Sequence, residues 1–212
     1  MKKHDRIIAA FYSPHRGAGK STAASLLRGI ILGMDRGHGI CGNSAESFAC
    51  PIRMCVAGIL SHVTPRRRRQ GKDEPIAELG GATERDLMLA IGQAGRGVYT
   101  DIWADVVRRA IRKNPDVDFV IDDLRFPNEW DMLRSEGAKI IRITVPGREP
   151  EEAEAEGLLE GREPDAEIVN EMDGLDKLTD SLERMAASFW PERLRLAGRS
   201  IRSDPKRSLS RP

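Results

Sequence analysis

Apolar runs and amphipathic stretches alternate along most of the chain. "RIIAAFY", Arg6 to Tyr12, is a short apolar run of the buried-strand kind. A glycine-rich turn follows, and "KSTAASLLRGIILGM" predicts a helix from about Gly19 to Met34. "MDRGHGICGNS" reads as loop. "ESFACPIRMCVAGILSHV" predicts a short strand ending at Ala49, then a helix to about Val63 with Pro51 in its first turn. "TPRRRRQGKDEPIAELGG" has the composition of a mobile loop. Thr83 is placed to cap a helix over Glu84 to Ala94, with Asp86 three residues on in the capping-box position. A helix over Asp101 to Lys113 sets Ile102, Val106, Val107 and Ala110 on one stripe. "DVDFVIDDL" is the clearest strand pattern, ending in two aspartates. Pro127 opens a helix to about Glu136, Lys139 to Val145 reads as a strand, and Gly174 to Phe189 as a C-terminal helix.

Strands alternating with helices predict an α/β fold of three layers, a mostly parallel central sheet with helices on both faces. Composition adds two segments to this picture. Residues 149–171 hold ten Asp or Glu against a single Arg162, the pattern of a solvated helical arm. From Glu192 onward there are seven basic and two acidic residues among Ser, Pro and Gly, which predicts a disordered basic tail over 191–212. The expected organisation is one domain over 1–190 and that tail. The 212 residues are 40% hydrophobic, enough for a core, and the formal net charge of +1 points to no partner class. Cys41, Cys50 and Cys55 lack metal-ligand spacing, and their odd number disfavours a disulfide framework; reduced thiols in a cytoplasmic protein are expected. No signal peptide or membrane span is legible.

"YSPHRGAGKST", Tyr12 to Thr22, stands between the first strand and the first helix. Its end matches the phosphate-loop pattern G-x-x-x-x-G-K-S/T through Gly19, Lys20 and Ser21. Pro14 occupies the place of the first glycine; its fixed φ and missing N–H require a different loop entrance. Gly17 and Gly19 let backbone amides approach a phosphate, and the helix N-terminus adds unpaired donors and partial positive charge. Arg16, Gly17, Ala18, Gly19, Lys20, Ser21 and Thr22 are the candidate donor-nucleotide residues. Lys20 is placed for the β- and γ-phosphates and Ser21 for Mg²⁺. His15 reads as a surface turn residue.

A second strand ending in a carboxylate completes such a site. Asp122 and Asp123 sit at the strand's carboxyl end, where α/β ligands bind. Side chains alternate across a strand, so one of the two faces the loop squarely; Asp123 is the candidate metal ligand. Arg125, two residues on, suits a phosphate.

Here a resemblance enters. "DDLRFPNE" resembles the D-x-R-F-P-N-E segment of phage-type deoxynucleoside monophosphate kinases, of the P-loop kinase superfamily. "SFACPIR", Ser47 to Arg53, and "GATERDLMLAIGQAGRGVYTDIW", Gly81 to Trp103, are similar to further segments of that family, in the same order. The resemblance covers most of residues 6–145. It implies transfer of a phosphoryl group from ATP, with Mg²⁺, to a deoxynucleoside monophosphate, giving two diphosphates. It also implies a helical lid, placed at about residues 147–172, with Gly147, Gly157 and Gly161 as hinges and Arg148 or Arg162 closing on phosphates. Exposed ion pairing is the alternative for these two arginines. Under the resemblance Lys20, Arg96, Asp123 and Arg125 are the catalytic candidates. Arg53, Arg85, Asp101 and Trp103 are candidates for the acceptor pocket, with core packing as the alternative for Trp103. The chain departs from the family in Pro14, in Gly-Lys-Ser-Thr where Gly-Lys-Asp-Thr is usual, and in keeping only Glu171 of an H-x-S-E element. Host cytoplasm is the implied location if the chain is phage-encoded.

Two other readings remain open from sequence. One is a P-loop ATPase acting on DNA, supported by Arg66–Arg69 and the basic tail but lacking interleaved aromatics or a recognised DNA-binding motif. The other is a non-catalytic nucleotide-binding regulator, with Pro14 as a sign of lost activity. Small-molecule substrates are expected as partners, nucleic acid and membrane are not, and homodimerisation is compatible with everything above.

Overall fold

A computed structural model describes residues 6–32, 47–64, 71–148 and 158–197. Four strands form one parallel sheet in the order β2-β1-β3-β4. β1 (Ile8–Tyr12), β2 (Phe119–Ile121) and β3 (Lys139–Thr144) stand where the apolar runs predict them. All five residues of β1 are buried, as a central strand covered on both faces requires.

Alternation along the strands sorts the core into two halves. Ile7, Ala9, Phe11, Val120, Ile141, Ile143 and Ile168 meet α1 (Lys20–Leu32) and α6 (Leu175–Phe189) on one face. Ile8, Ala10, Tyr12, Phe119, Ile121 and Ile140 meet α4 (Ile102–Lys113) and α5 (Pro127–Ser135) on the other. The result is a three-layer α/β fold with helices on both faces. No helix among the described residues is long and apolar enough to cross a membrane.

Local signals set most helix ends. The Thr83 hydroxyl accepts from the Asp86 amide while the Asp86 carboxylate accepts from the Thr83 amide, so the expected capping box forms at α3 (Glu84–Val98). That helix runs one turn beyond the expected Ala94. Pro51 lies in the first turn of α2 (Cys50–Val63).

Several expectations are corrected. Ser47 to Ala49 form a turn rather than a strand, because their polar groups are drawn to a side chain from β2, described below. The buried stripe of α4 is Trp103, Ala104, Val107 and Ile111, whereas Val106 is exposed. The segment 71–81 contains a 3-10 turn, Ala77–Leu79, closed around the buried Ile76. The acidic arm ends in a strand: Ala166–Val169 is β4, paired with β3 from Ile141↔Ala166 to Thr144↔Val169. Of the expected lid over 147–172, residues 149–157 lie outside the described residues. The start of the basic tail is ordered as α7 (Pro191–Leu196), with Leu194 in the core and Arg193 paired to Asp118. Residues 198–212, the loop over 34–44, Cys41 and Arg66–Arg69 lie outside the described residues. Cys50 is buried and Cys55 exposed.

Candidate functional site

β1 and β2 run parallel in register from Ile8↔Phe119 to Ala10↔Ile121. Their carboxyl ends therefore share one edge of the sheet. The loop after Tyr12 and the aspartates after Ile121 both leave the sheet at that edge.

Gly17 and Gly19 adopt left-handed φ values of 70° and 89°, and Ala18 between them does not. Alternation of this kind turns successive amides to one side and forms an anion-binding concavity. Among the described residues the amides of Gly17, Ala18 and Gly19 donate to no protein acceptor. The loop's carbonyls are held from outside. Lys20 Nζ lies 3.4 Å from the His15 carbonyl oxygen, and Arg148 Nη1 donates to the Arg16 carbonyl at 3.1 Å. The entrance differs from the glycine form as Pro14 demands: the His15 amide donates to Ser13 Oγ at 3.0 Å, closing a tight side-chain turn over the proline. His15 is buried at 5% exposure, which corrects its reading as a surface residue. Arg16, Gly17, Ser21 and Thr22 are exposed, and Lys20 is half-buried.

At the end of β2, Val120 belongs to the α1 face and Ile121 to the α5 face. Continued alternation sets Asp122 toward α1 and Asp123 toward α5. The contacts of Asp123 agree. Its carboxylate accepts from the Ser47 hydroxyl at 2.9 Å, the Phe48 amide at 3.1 Å and the Ala49 amide at 2.9 Å. Desolvation, with Asp122 adjacent, raises its pKa against the opposing pull of these donors. Its oxygens hold the turn that starts α2. Asp122 makes no hydrogen bond or ion pair among the described residues.

The segment from Asp123 to Glu129 is a junction in which each residue has a task. Phe126 is a platform for Arg96, whose guanidinium carbon lies 3.8 Å from the ring centroid. Pro127 opens α5. Asn128 donates to Asp101 Oδ1 at 2.8 Å and to the Thr100 carbonyl at 3.1 Å, tying α5 to the start of α4. Glu129, 2% exposed, accepts from the Arg125 and Phe126 amides, both at 3.1 Å, and lies 3.8 Å from Arg96 Nη2. Burial, with Asp123 nearby, pushes its carboxyl up to about 7 despite those amides and Arg96. Burial also lowers the pKa of Arg96, and Arg125 is close enough to lower it further. Arg96 and Arg125 thus lie near one another, with Arg125 exposed.

The remaining candidates are spread around this centre. Arg53 donates to the Ser47 hydroxyl, which places it beside the turn held by Asp123. Arg85 pairs with Asp73 at an exposed position. Trp103 is buried; its indole N–H donates to the Gly92 carbonyl at 3.0 Å, and a Cβ on Gly95 would lie 2.5 Å from its ring. Gly95 is the small residue that lets α3 and α4 close on it. Of the two arginines expected in a lid, Arg148 reaches the glycine-rich loop through the Arg16 carbonyl, while Arg162 pairs with Asp131 on α5.

Sequence reasoning passed over Glu129, Ser47 and Asn170. Glu129 had a signal, standing three residues after the N-cap Phe126. Asn170 had none; its amide meets the phosphate loop across 152 residues of chain.

No family model matches the chain. Over 147 residues the chain is 28% identical to a protein of Acanthamoeba polyphaga mimivirus named "Putative deoxynucleotide monophosphate kinase". The match covers 62% of this chain and 71% of that protein.

Proposed function

We propose that the protein is a nucleoside monophosphate kinase that transfers the γ-phosphoryl group of ATP to a deoxynucleoside monophosphate. The observation that supports this reading most is that the glycine-formed turn after β1 and the segment carrying Asp122 and Arg125 leave the same carboxyl edge of the sheet, with Arg96 near Arg125. The similarity to the viral protein named above supports the same class.

The amides of Gly17 to Gly19 and the start of α1 hold the donor phosphates. Lys20, which rests against its own loop carbonyl, swings to the β- and γ-phosphates when they bind. Arg96 and Arg125 meet the acceptor phosphate and the moving group, whose charge is what the protein must neutralise. Phe126 and Glu129 fix Arg96, so it is pre-set rather than recruited. Among the described residues no cluster of three or more His, Cys, Asp or Glu could cage a metal. A magnesium ion fits here as one carried on the triphosphate, with the Ser21 hydroxyl and the unpaired Asp122 as protein contacts. Bound there, it would supply charge neutralisation and alignment of the phosphates. No side-chain nucleophile is needed, because the acceptor phosphate oxygen attacks directly.

A panel of deoxynucleoside monophosphates with ATP and Mg²⁺, read by ADP release, tests this. Acceptor-dependent ADP formation that Lys20→Ala abolishes, with the fold retained, is expected. ATP binding without turnover for any acceptor would sink the kinase reading and favour a nucleotide-binding regulator.

A further inference from the structure

Asn170 follows β4, and its backbone amide donates to the Thr144 carbonyl at 2.8 Å, extending the sheet by one rung. Its side chain is 94% enclosed, with 6% relative exposure. The amide orientation is forced. Oδ1 accepts from the Met172 amide at 3.2 Å, which only an oxygen can do. Nδ2 is therefore turned outward, and it donates to the Ala18 carbonyl at 2.9 Å. The Met172 sulfur, 3.1 Å from Nδ2, takes the second hydrogen. Met172 has φ 60°, the left-handed value alone among described non-glycine residues, so the backbone accepts strain to close this hook. The fit against the loop is tight: a Cβ on Gly19 would lie 2.7 Å from Asn170 Nδ2.

We infer that Asn170 is a positioning residue that holds the phosphate loop open for anion binding by gripping the Ala18 carbonyl from outside. The inference rests on the nucleotide-kinase reading. In the ordinary loop the first glycine shapes the turn; here Pro14 stands in its place. The peptide joining Ala18 to Gly19 has its carbonyl on Asn170, so its N–H, on the opposite side of that planar unit, faces away from the hook and toward the cradle. Lys20 and Arg148 grip neighbouring carbonyls too, but both carry charge that phosphate would attract directly. Asn170 is neutral and fully used within the protein, so its effect on anion affinity runs through loop geometry alone.

Calorimetric titration of inorganic tripolyphosphate and of ATP, alongside the KM of each substrate, tests this. Asn170→Ala is expected to weaken tripolyphosphate and ATP binding about tenfold, to raise the ATP KM alike and to leave the acceptor KM unchanged, since one well-formed hydrogen bond controls the cradle. Asn170→Asp keeps the size but sets an oxygen against the Ala18 carbonyl, and is expected to lose more; it decides the matter if the alanine variant does not fold. Anion affinity within twofold of wild type in a folded variant overturns the inference, as does equal damage to both KM values. Wild-type protein that binds neither ATP nor tripolyphosphate overturns the kinase reading itself, and the inference with it.

Discussion

Replacing Glu129 with glutamine isolates the carboxyl buried beneath Arg96. In the folded protein this group titrates near 7, against 4.5 as the ordinary value, because burial and the nearby Asp123 outweigh two backbone amides and Arg96. A raised carboxyl pKa means that the fold favours the protonated form. The associated stability is complete below about 4.5 and is lost as the pH rises through 7. The loss amounts to about 3 kcal/mol at full ionisation. Glutamine cannot ionise, so it should remove this slope. Its amide nitrogen faces Arg96 or a backbone N–H, at a pH-independent cost of about 1 kcal/mol. Thermal melts of both proteins between pH 5 and pH 8.5 are the assay. At pH 5 the variant should melt at or below wild type; toward pH 8.5 the difference should shift in its favour by roughly 6–12 °C. Asp123 also has a raised carboxyl, but it is present in both proteins, so its own desolvation cancels and only its coupling to Glu129 enters the difference. Parallel curves for the two proteins would refute the reasoning. The acceptor KM should rise in the variant, because Arg96 loses its counter-charge.

Asp122 and Asp123 should separate when each is changed to asparagine. Asp123→Asn puts a donor against the Ser47 hydroxyl or the Ala49 amide and should cost about 1–3 kcal/mol, with a higher acceptor KM. Asp122→Asn should change stability by less than about 0.5 kcal/mol while raising the Mg²⁺ concentration needed for turnover at least tenfold; equal Mg²⁺ profiles for the two variants would refute the division of roles. Leu194→Ala should cost about 2–4 kcal/mol, because α7 docks through that side chain; an unchanged melt would show that α7 does not contribute.

Much of the fold was legible because its cues are local. β1 to β3 are apolar runs, Thr83 and Asp86 spell a cap, and Pro51 and Pro127 mark helix starts. The glycine-rich turn before α1 was legible for the same reason: glycines at 17 and 19 and a helix beginning at Lys20 are neighbours in the chain. β4 was hidden, since an edge strand buried mainly through Ile168 leaves Glu167 and Val169 exposed and looks like more acidic arm. α7 was hidden because its anchors, Asp118 and the α1–α6 core, lie far away in sequence.

What the amino-acid order determined by itself, then, is where β1 to β3 and most of the helices stand and where two glycines let the loop before α1 turn. Those properties depend on residues within a turn or two of one another. Only the tertiary structure decided that Asp123 grips a turn while Asp122 is left open, that Glu129 and Phe126 hold Arg96, and that Asn170 reaches the loop. Each of these depends on which face of a strand a side chain leaves and on which distant donor meets it, and chain order does not encode that meeting until the sheet has formed.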